Sequence, residues 1–194
     1  MGTSAGGARA KAAVALNPET GELRAGQFDV PQDFEHWLLK FDGMGKDSEL
    51  GSSQDYGRIE YAFHLMAVSA GIRMTPCRLL EENGRSHFMT KRFDRDGNEK
   101  HHLQTLCAMA HLDFNSKATH DYSQLFHVIL QLNLGPDAMD QAFRRMVFNV
   151  MAANCDDYTK NFSFILRKNG VWELSPASMI FWISESCSRP KPLF

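Results

Sequence analysis

An excess of charge of one sign is missing from this sequence: 21 Lys and Arg stand against 23 Asp and Glu, for a formal net charge of -2. That balance excludes a global field that would draw the chain to nucleic acid or to an anionic membrane. Long apolar runs are absent too, none approaching the roughly 18 residues that a spanning helix requires. The start, Met1-Gly2-Thr3-Ser4-Ala5-Gly6-Gly7, has neither the basic nor the apolar region of a secretory signal. A cytoplasmic address without membrane contact is therefore expected, and no direct nucleic-acid binding. The four cysteines, Cys77, Cys107, Cys155 and Cys187, show no paired metal-ligand spacing, which argues against disulfides and zinc. Nor do the eight histidines cluster; His64, His111, His120 and His127 fall on separate elements, and His101-His102 read as a polar helix end. The glycine-rich start lacks the Gly-Lys-Ser/Thr ending of a Walker loop.

What remains is ordinary globular composition, 43% hydrophobic and 23% charged over 194 residues, enough for one sizeable core or two small lobes. Alternation over Ala8 to Leu16, followed by Asn17-Pro18-Glu19-Thr20-Gly21, predicts a hairpin behind a glycine-rich lip. His36 to Phe41 reads as a short strand closed by Asp42-Gly43, with Lys40 at its end and a polar loop running on to Ser53. From Ile59 the residues Ile59, Phe63, Met66, Ala67 and Ala70 recur at helical spacing, with Gly71 just past the end. Cys77 to Glu82 and Ser86 to Phe93 flank Asn83-Gly84, a strong two-residue hairpin signal. After Asp96-Gly97-Asn98, helical periodicity is read over Leu103 to Leu112, Tyr122 to Leu132 and Pro136 to Ala153. Phe162 to Leu166 and Val171 to Leu174 predict a last hairpin around Asn169-Gly170.

The chemistry concentrates in Asn154-Cys155-Asp156-Asp157-Tyr158-Thr159-Lys160-Asn161, between a helix and a strand. Phosphoryl transfer needs positioning and charge neutralisation more than covalent chemistry. Asp156 can orient and deprotonate a hydroxyl, Asn161 offers an amide oxygen to magnesium, and Lys160 beside it can meet phosphate. The bland reading of the same octapeptide is a surface turn decorated with Asp and Asn.

Several motifs in order resemble the HipA toxin family. Ser4-Ala5-Gly6-Gly7-Ala8-Arg9-Ala10-Lys11 resembles its glycine-rich loop, and Trp37-Leu38-Leu39-Lys40 its nucleotide-lysine strand. Lys91-Arg92-Phe93-Asp94-Arg95 resembles the hinge between its lobes, and Asp156 through Phe164 its catalytic segment, typically Asp-x-His-x-Lys-Asn. The resemblance implies an α+β, protein-kinase-like two-lobed fold, with a strand-rich nucleotide lobe over 1–95 and a mainly helical, incomplete lobe over 96–194. It implies ATP and magnesium as cofactors and transfer of the γ-phosphate to a serine or threonine hydroxyl of a protein substrate, as the toxin partnered by a HipB-like helix-turn-helix antitoxin. Asp156 would be the catalytic base, Lys160 its neighbour on the phosphate, and Asn161 a metal ligand. Ser4, Gly6 and Gly7 would cradle nucleotide, Lys40 would pair with its phosphates, Phe93 would border the adenine and Asp94 would reach the ribose. Ser4 also matches the position at which family members phosphorylate their own loop. Glu60, which could pair with Lys40 as the helix glutamate does in ordinary kinases, is read instead as a solvated acid on an amphipathic helix.

The chain departs from the family at two places. Tyr158 stands where histidine is usual and cannot carry a proton in the same way. Ser175-Pro176-Ala177 is present, but Ser178-Met179-Ile180 follows where the family has Tyr-Asp, a metal-binding carboxylate. From Ser178 to Phe194 the pattern is lost, as after a frameshift or truncation, which would leave apolar faces of Leu125 to Leu132 and Phe143 to Val150 partly uncovered. The expectation is an impaired kinase; a pseudokinase or antitoxin-binding remnant and a degraded product without stable fold are the rivals.

Overall fold

In a computed structural model of the chain, residues 10–43, 55–113, 121–154 and 157–178 are described. Ser4, Gly6, Gly7, Asp156 and the tail from Met179 on lie outside them. The chain divides into two compact units, one reaching to Leu65 and resuming over Thr75–Lys100, the other made of Met66–Met74 and the residues from His101.

The first unit is built on a five-stranded antiparallel sheet of order β2-β1-β3-β5-β4. Its strands are β1 (Lys11–Leu16), β2 (Leu23–Ala25), β3 (Glu35–Lys40), β4 (Cys77–Glu82) and β5 (Arg85–Lys91). The first hairpin forms as expected: Asn17 Oδ1 accepts from Glu19 N at 2.9 Å and Thr20 N at 3.1 Å, and Gly21 takes φ 74°. β4 and β5 turn through Asn83 at φ 48° and Gly84 at φ 75°, the left-handed pair that matches the twist of the flanking strands. The register sorts side chains between faces. Val14 opposes Trp37 and Leu39 opposes Met89, so Leu16, Trp37, Leu39 and Met89 share one face and form its core. Lys40 opposes Lys11 on one side and Phe88 on the other, placing all three on the opposite face.

The part of helix α1 (Tyr56–Ser69) that belongs to this unit, up to Leu65, covers that opposite face, and the helix's buried stripe is one the periodicity of apolar residues does not reveal. The buried positions are Gly57, Glu60, His64 and Ala67, whereas Met66, at 47% exposure, faces solvent. The expected apolar stripe over Ile59, Phe63, Met66, Ala67 and Ala70 is thus rotated about one residue from the buried one. Gly57 explains the rotation: a Cβ there would lie 1.8 Å from the Ser86 carbonyl oxygen, so a bare Cα lets the helix press onto the β5 backbone. Gly71 ends the helix at φ 74°, as expected. A two-stranded ribbon, β6 (Arg95–Asp96) and β7 (Glu99–Lys100), completes the first unit.

The second unit holds α2 (Leu106–Met109), α3 (Tyr122–Gln131), α4 (Gly135–Met151) and a three-stranded sheet β10-β9-β8. Its strands are β8 (His102–Thr105), β9 (Ser163–Leu166) and β10 (Trp172–Leu174). The helix expected over Leu103 to Leu112 is not one element: His102 to Thr105 pair with β9, from His102 opposite Leu166 to Thr105 opposite Ser163. Only Leu106–Met109 is helical, with Thr105 Oγ1 accepting from Ala108 N at 3.2 Å. A strand and a single helical turn, each too short to show its own period, together mimic a helix in the sequence. The polar helix end expected at His101-His102 is likewise a strand start, His102 lying edge-on to Trp172 at 5.8 Å. The other two helices and the last hairpin form where expected, with Pro136 in the first turn of α4 and Gly170 at φ 77°. Leu106, Leu125, Val128, Ile129, Ala142, Phe162 and Phe164 fill the core, while Leu130, Phe143, Val150 and Met151 are exposed. Among the described residues no helix is long and apolar enough to cross a membrane.

Candidate active site

β3 delivers Lys40 at its last position, on the face covered by α1. Its Nζ lies 2.5 Å from Glu60 Oε2, with side-chain exposures of 8% and 4%. The Phe88 ring adds a cation-π contact at 5.6 Å. The reading of Glu60 as a solvated acid is therefore overturned. Glu60 follows Gly57 by one turn, so the contact that seats the helix on β5 also turns this carboxylate toward the sheet. The signal available in the sequence was the small residue three places before the acid. Burial excludes water from both charges, which makes each dependent on the other and fixes the long lysine side chain in one place.

Phe93 and Asp94 follow β5, where Arg92 N still donates to His36 O at 2.8 Å. Phe93 is half-buried. Asp94 accepts from Arg92 through both carboxylate oxygens, Nε to Oδ1 at 2.9 Å and the terminal nitrogen to Oδ2 at 2.6 Å. Burial alone would raise the Asp94 pKa, but the Arg92 hydrogen bonds and charge outweigh it and hold the carboxyl below its ordinary value. Asp94 is thus an ionised, oriented acceptor.

In the second unit the chain leaves α4 through Asn154, whose N donates to Asn149 O at 2.9 Å, with Ala153 left-handed at φ 49°. Asp157 Oδ2 accepts from the Tyr122 hydroxyl at 3.2 Å. Tyr158 is 62% exposed, so the residue at the family's histidine position presents its ring to solvent. A tight turn follows, with Asn161 N donating to Tyr158 O at 2.8 Å; Lys160 is exposed and Asn161 half-buried. Cys107 N to Thr159 O at 3.1 Å and Leu106 N to Phe162 O at 2.8 Å tie the turn to α2. Lys160 and Asn161 are brought together on this turn; Lys40, Phe93 and Asp94 belong to the first unit.

Beyond β10 the strap Ser175-Pro176-Ala177 is held at several points. Ser175 N donates to Ser163 O at 3.0 Å and the two hydroxyls lie 2.7 Å apart. Ala177 N donates to Arg73 O at 2.9 Å, and Arg145 donates to Ser175 O at 2.7 Å. Burial of Arg145, with Arg73 nearby, pulls its pKa down to about 10. Sequence reasoning identified neither Arg145 nor Tyr122, because both act through contacts distant in the chain.

A family model for the HipA-like C-terminal domain matches residues 3–178. Among solved structures, a chain of the Shewanella oneidensis MR-1 toxin-antitoxin complex of HipA, HipB and operator DNA superposes with a TM-score of 0.67 at 15% identity. That match covers 92% of this chain and 43% of the other. The Helicobacter pylori proinflammatory kinase CtkA superposes with a TM-score of 0.53 at 17% identity, over 76% of this chain and 50% of that one. The chain therefore spans half or less of the length of these structures. A comparison with curated proteins returned no match. The structural likeness shows a kinase-like fold, and the family match, over most of the sequence, shows that this chain belongs to the HipA-like C-terminal domain family.

Proposed function

We propose that this chain is the nucleotide-binding and phosphoryl-transfer part of a HipA-like serine/threonine protein kinase of a type II toxin-antitoxin system, impaired in turnover. The observation that carries the reading is the buried Lys40 to Glu60 pair, at 2.5 Å, on a strand and helix of the first unit. A lysine held by a helix glutamate is the arrangement by which kinases present a fixed positive charge to nucleotide phosphates.

The chain's residues suit ATP with magnesium in most respects. Lys40 meets the phosphates, and Ser4, Gly6 and Gly7 supply backbone N–H groups around them. Phe93 borders the adenine and the ionised Asp94 accepts from the ribose. Asp156 orients the substrate hydroxyl and takes its proton, Lys160 neutralises phosphate charge, and Asn161 offers its amide oxygen to the metal. Magnesium, when bound with the nucleotide, shields the charge of the transferring phosphate. The donor set is one carboxylate short of the family's, because Met179 stands in its place. The protein hydroxyl acceptor and a HipB-like partner complete the reading, the latter supported by the HipB in the Shewanella complex.

Met179 also favours a second reading, a pseudokinase or antitoxin-binding remnant that binds nucleotide or partner without transfer. Calorimetry with ATP and magnesium, on wild type, Lys40→Ala and Asp156→Ala, separates the two when mass spectrometry follows phosphate on Ser4. Binding lost in Lys40→Ala, with Ser4 phosphate appearing only when Asp156 is intact, is expected of a working site. Binding without phosphate supports the pseudokinase, and a folded chain that binds no nucleotide overturns both nucleotide readings.

A further inference from the structure

In the second unit a chain of hydrogen bonds runs in one direction through the buried Asn154, Asn149 and Tyr122 and ends on the exposed Asp157. Asn154 Nδ2 donates to Asn149 Oδ1 at 3.0 Å, Asn149 Nδ2 donates to the Tyr122 hydroxyl at 2.8 Å, and that hydroxyl donates to Asp157 Oδ2 at 3.2 Å. The order is forced. The Asp157 carboxylate can only accept, so the single phenolic proton is directed to it, and Asn149 therefore meets the phenol as a donor and turns its amide oxygen to Asn154. Tyr122, Asn149 and Asn154 are 7%, 9% and 5% exposed, so water does not readily replace a partner that one of them loses.

Tyr122 is itself firmly placed. It opens α3, whose N-cap Asp121 accepts from Ser123 N at 2.8 Å while Asp121 N donates to Gln124 Oε1 at 3.0 Å, a reciprocal cap. Its ring packs edge-on against Phe162 at 5.6 Å. The segment leaving α4 is therefore held at Asn154, tied at Asp157 and gripped again at Phe162, all by one phenol and its neighbours. We infer that Tyr122 is a positioning residue for the catalytic loop, acting through Asp157, and that Asp157 serves the scaffold and not the substrate. This rests on the reading of Asp156 to Asn161 as a phosphoryl-transfer loop, and it divides two adjacent acids between two tasks: Asp157 holds the loop and Asp156 is left for the hydroxyl. Burial and the Asp157 charge raise the phenol's pKa, so Tyr122 keeps its proton and remains a donor throughout the neutral range.

Hydrogen-deuterium exchange of the nucleotide-free chain, read by mass spectrometry over peptides spanning 157–162, tests the inference without requiring activity. Tyr122→Phe keeps the ring and removes the donor; Asp157→Ala removes the acceptor; Asp157→Asn keeps one. Exchange in that segment is expected to quicken about tenfold in Tyr122→Phe and Asp157→Ala, the equivalent of one lost hydrogen bond, and to stay near wild type in Asp157→Asn. Peptides from β10 and from the first turns of α4, in the same unit, should not change, which shows that this unit is folded in the variants. Wild-type exchange in Tyr122→Phe, or equal quickening in Asp157→Asn and Asp157→Ala, overturns the proposal. Should Tyr122→Phe not fold, the two Asp157 variants decide alone. Phosphate transfer at saturating ATP then gives the functional arm: a slower rate at unchanged ATP affinity is expected of Tyr122→Phe. Absence of nucleotide binding in the wild type removes the kinase reading, while the exchange result still decides what Tyr122 does.

Discussion

Lys40 and Glu60 show how one contact governs both folding and the proposed binding. Two charges with side-chain exposures of 8% and 4% have lost most of their hydration, so each is tolerated because the other is there. Removing one partner leaves the other buried without that opposite charge. Lys40→Met is expected to cost about 3–5 kcal/mol in urea unfolding, and Glu60→Leu a similar amount. The double variant should be less destabilised than either single one, since two apolar side chains of comparable volume restore a neutral interior. Additive losses would show that the pair is not coupled. The same residues mark a boundary of legibility. The strand-end position of Lys40 is legible in the sequence, whereas the burial of Glu60 is not, because periodicity counts apolar residues and assigns acids to water. A buried acid is recognisable only when its partner, 20 positions away, is known to lie beneath it.

At the scale of elements, α1 is where local and tertiary preferences disagree. Its best apolar stripe is not its buried one; the helix is seated by Gly57 against the Ser86 carbonyl and by the acid that follows. Propensity alone predicts that Gly57→Ala stabilises the helix by about 1 kcal/mol. The contact predicts the reverse, since a Cβ 1.8 Å from a backbone oxygen forces helix and strand apart. A loss of about 1–3 kcal/mol, with weaker ATP binding as Glu60 withdraws from Lys40, is expected from thermal melts and calorimetry on Gly57→Ala. A raised melting temperature would refute the contact. Elsewhere the elements were legible where turn chemistry is local: Asn83-Gly84 and Asn169-Gly170 both mark hairpins, because left-handed backbone is encoded in the residues themselves. β8 was not legible, since its strand character comes from pairing with β9, some sixty residues on in the chain.

For the whole molecule, the question is whether the departure at Met179 is local or reflects a site lost throughout. The described residues that precede it keep their packing. The strap before it is pinned to Ser163, Arg73 and Arg145, the buried Arg145 donating to the Ser175 carbonyl. In the first unit Lys40 is buried against Glu60, and in the second the turn bearing Asn161 is tied to α2. A single missing electrostatic contact of this kind lowers a rate on the order of a hundredfold while leaving binding largely intact. Met179→Asp is therefore expected to raise the rate of Ser4 phosphorylation by about that factor, with little change in the calorimetric affinity for ATP. A gain in rate would mean that the rest of the phosphoryl-transfer machinery persists in this chain. No gain, in a variant that still binds ATP, would place the deficit beyond one carboxylate and turn the balance toward a nucleotide-binding protein whose task is to engage a partner.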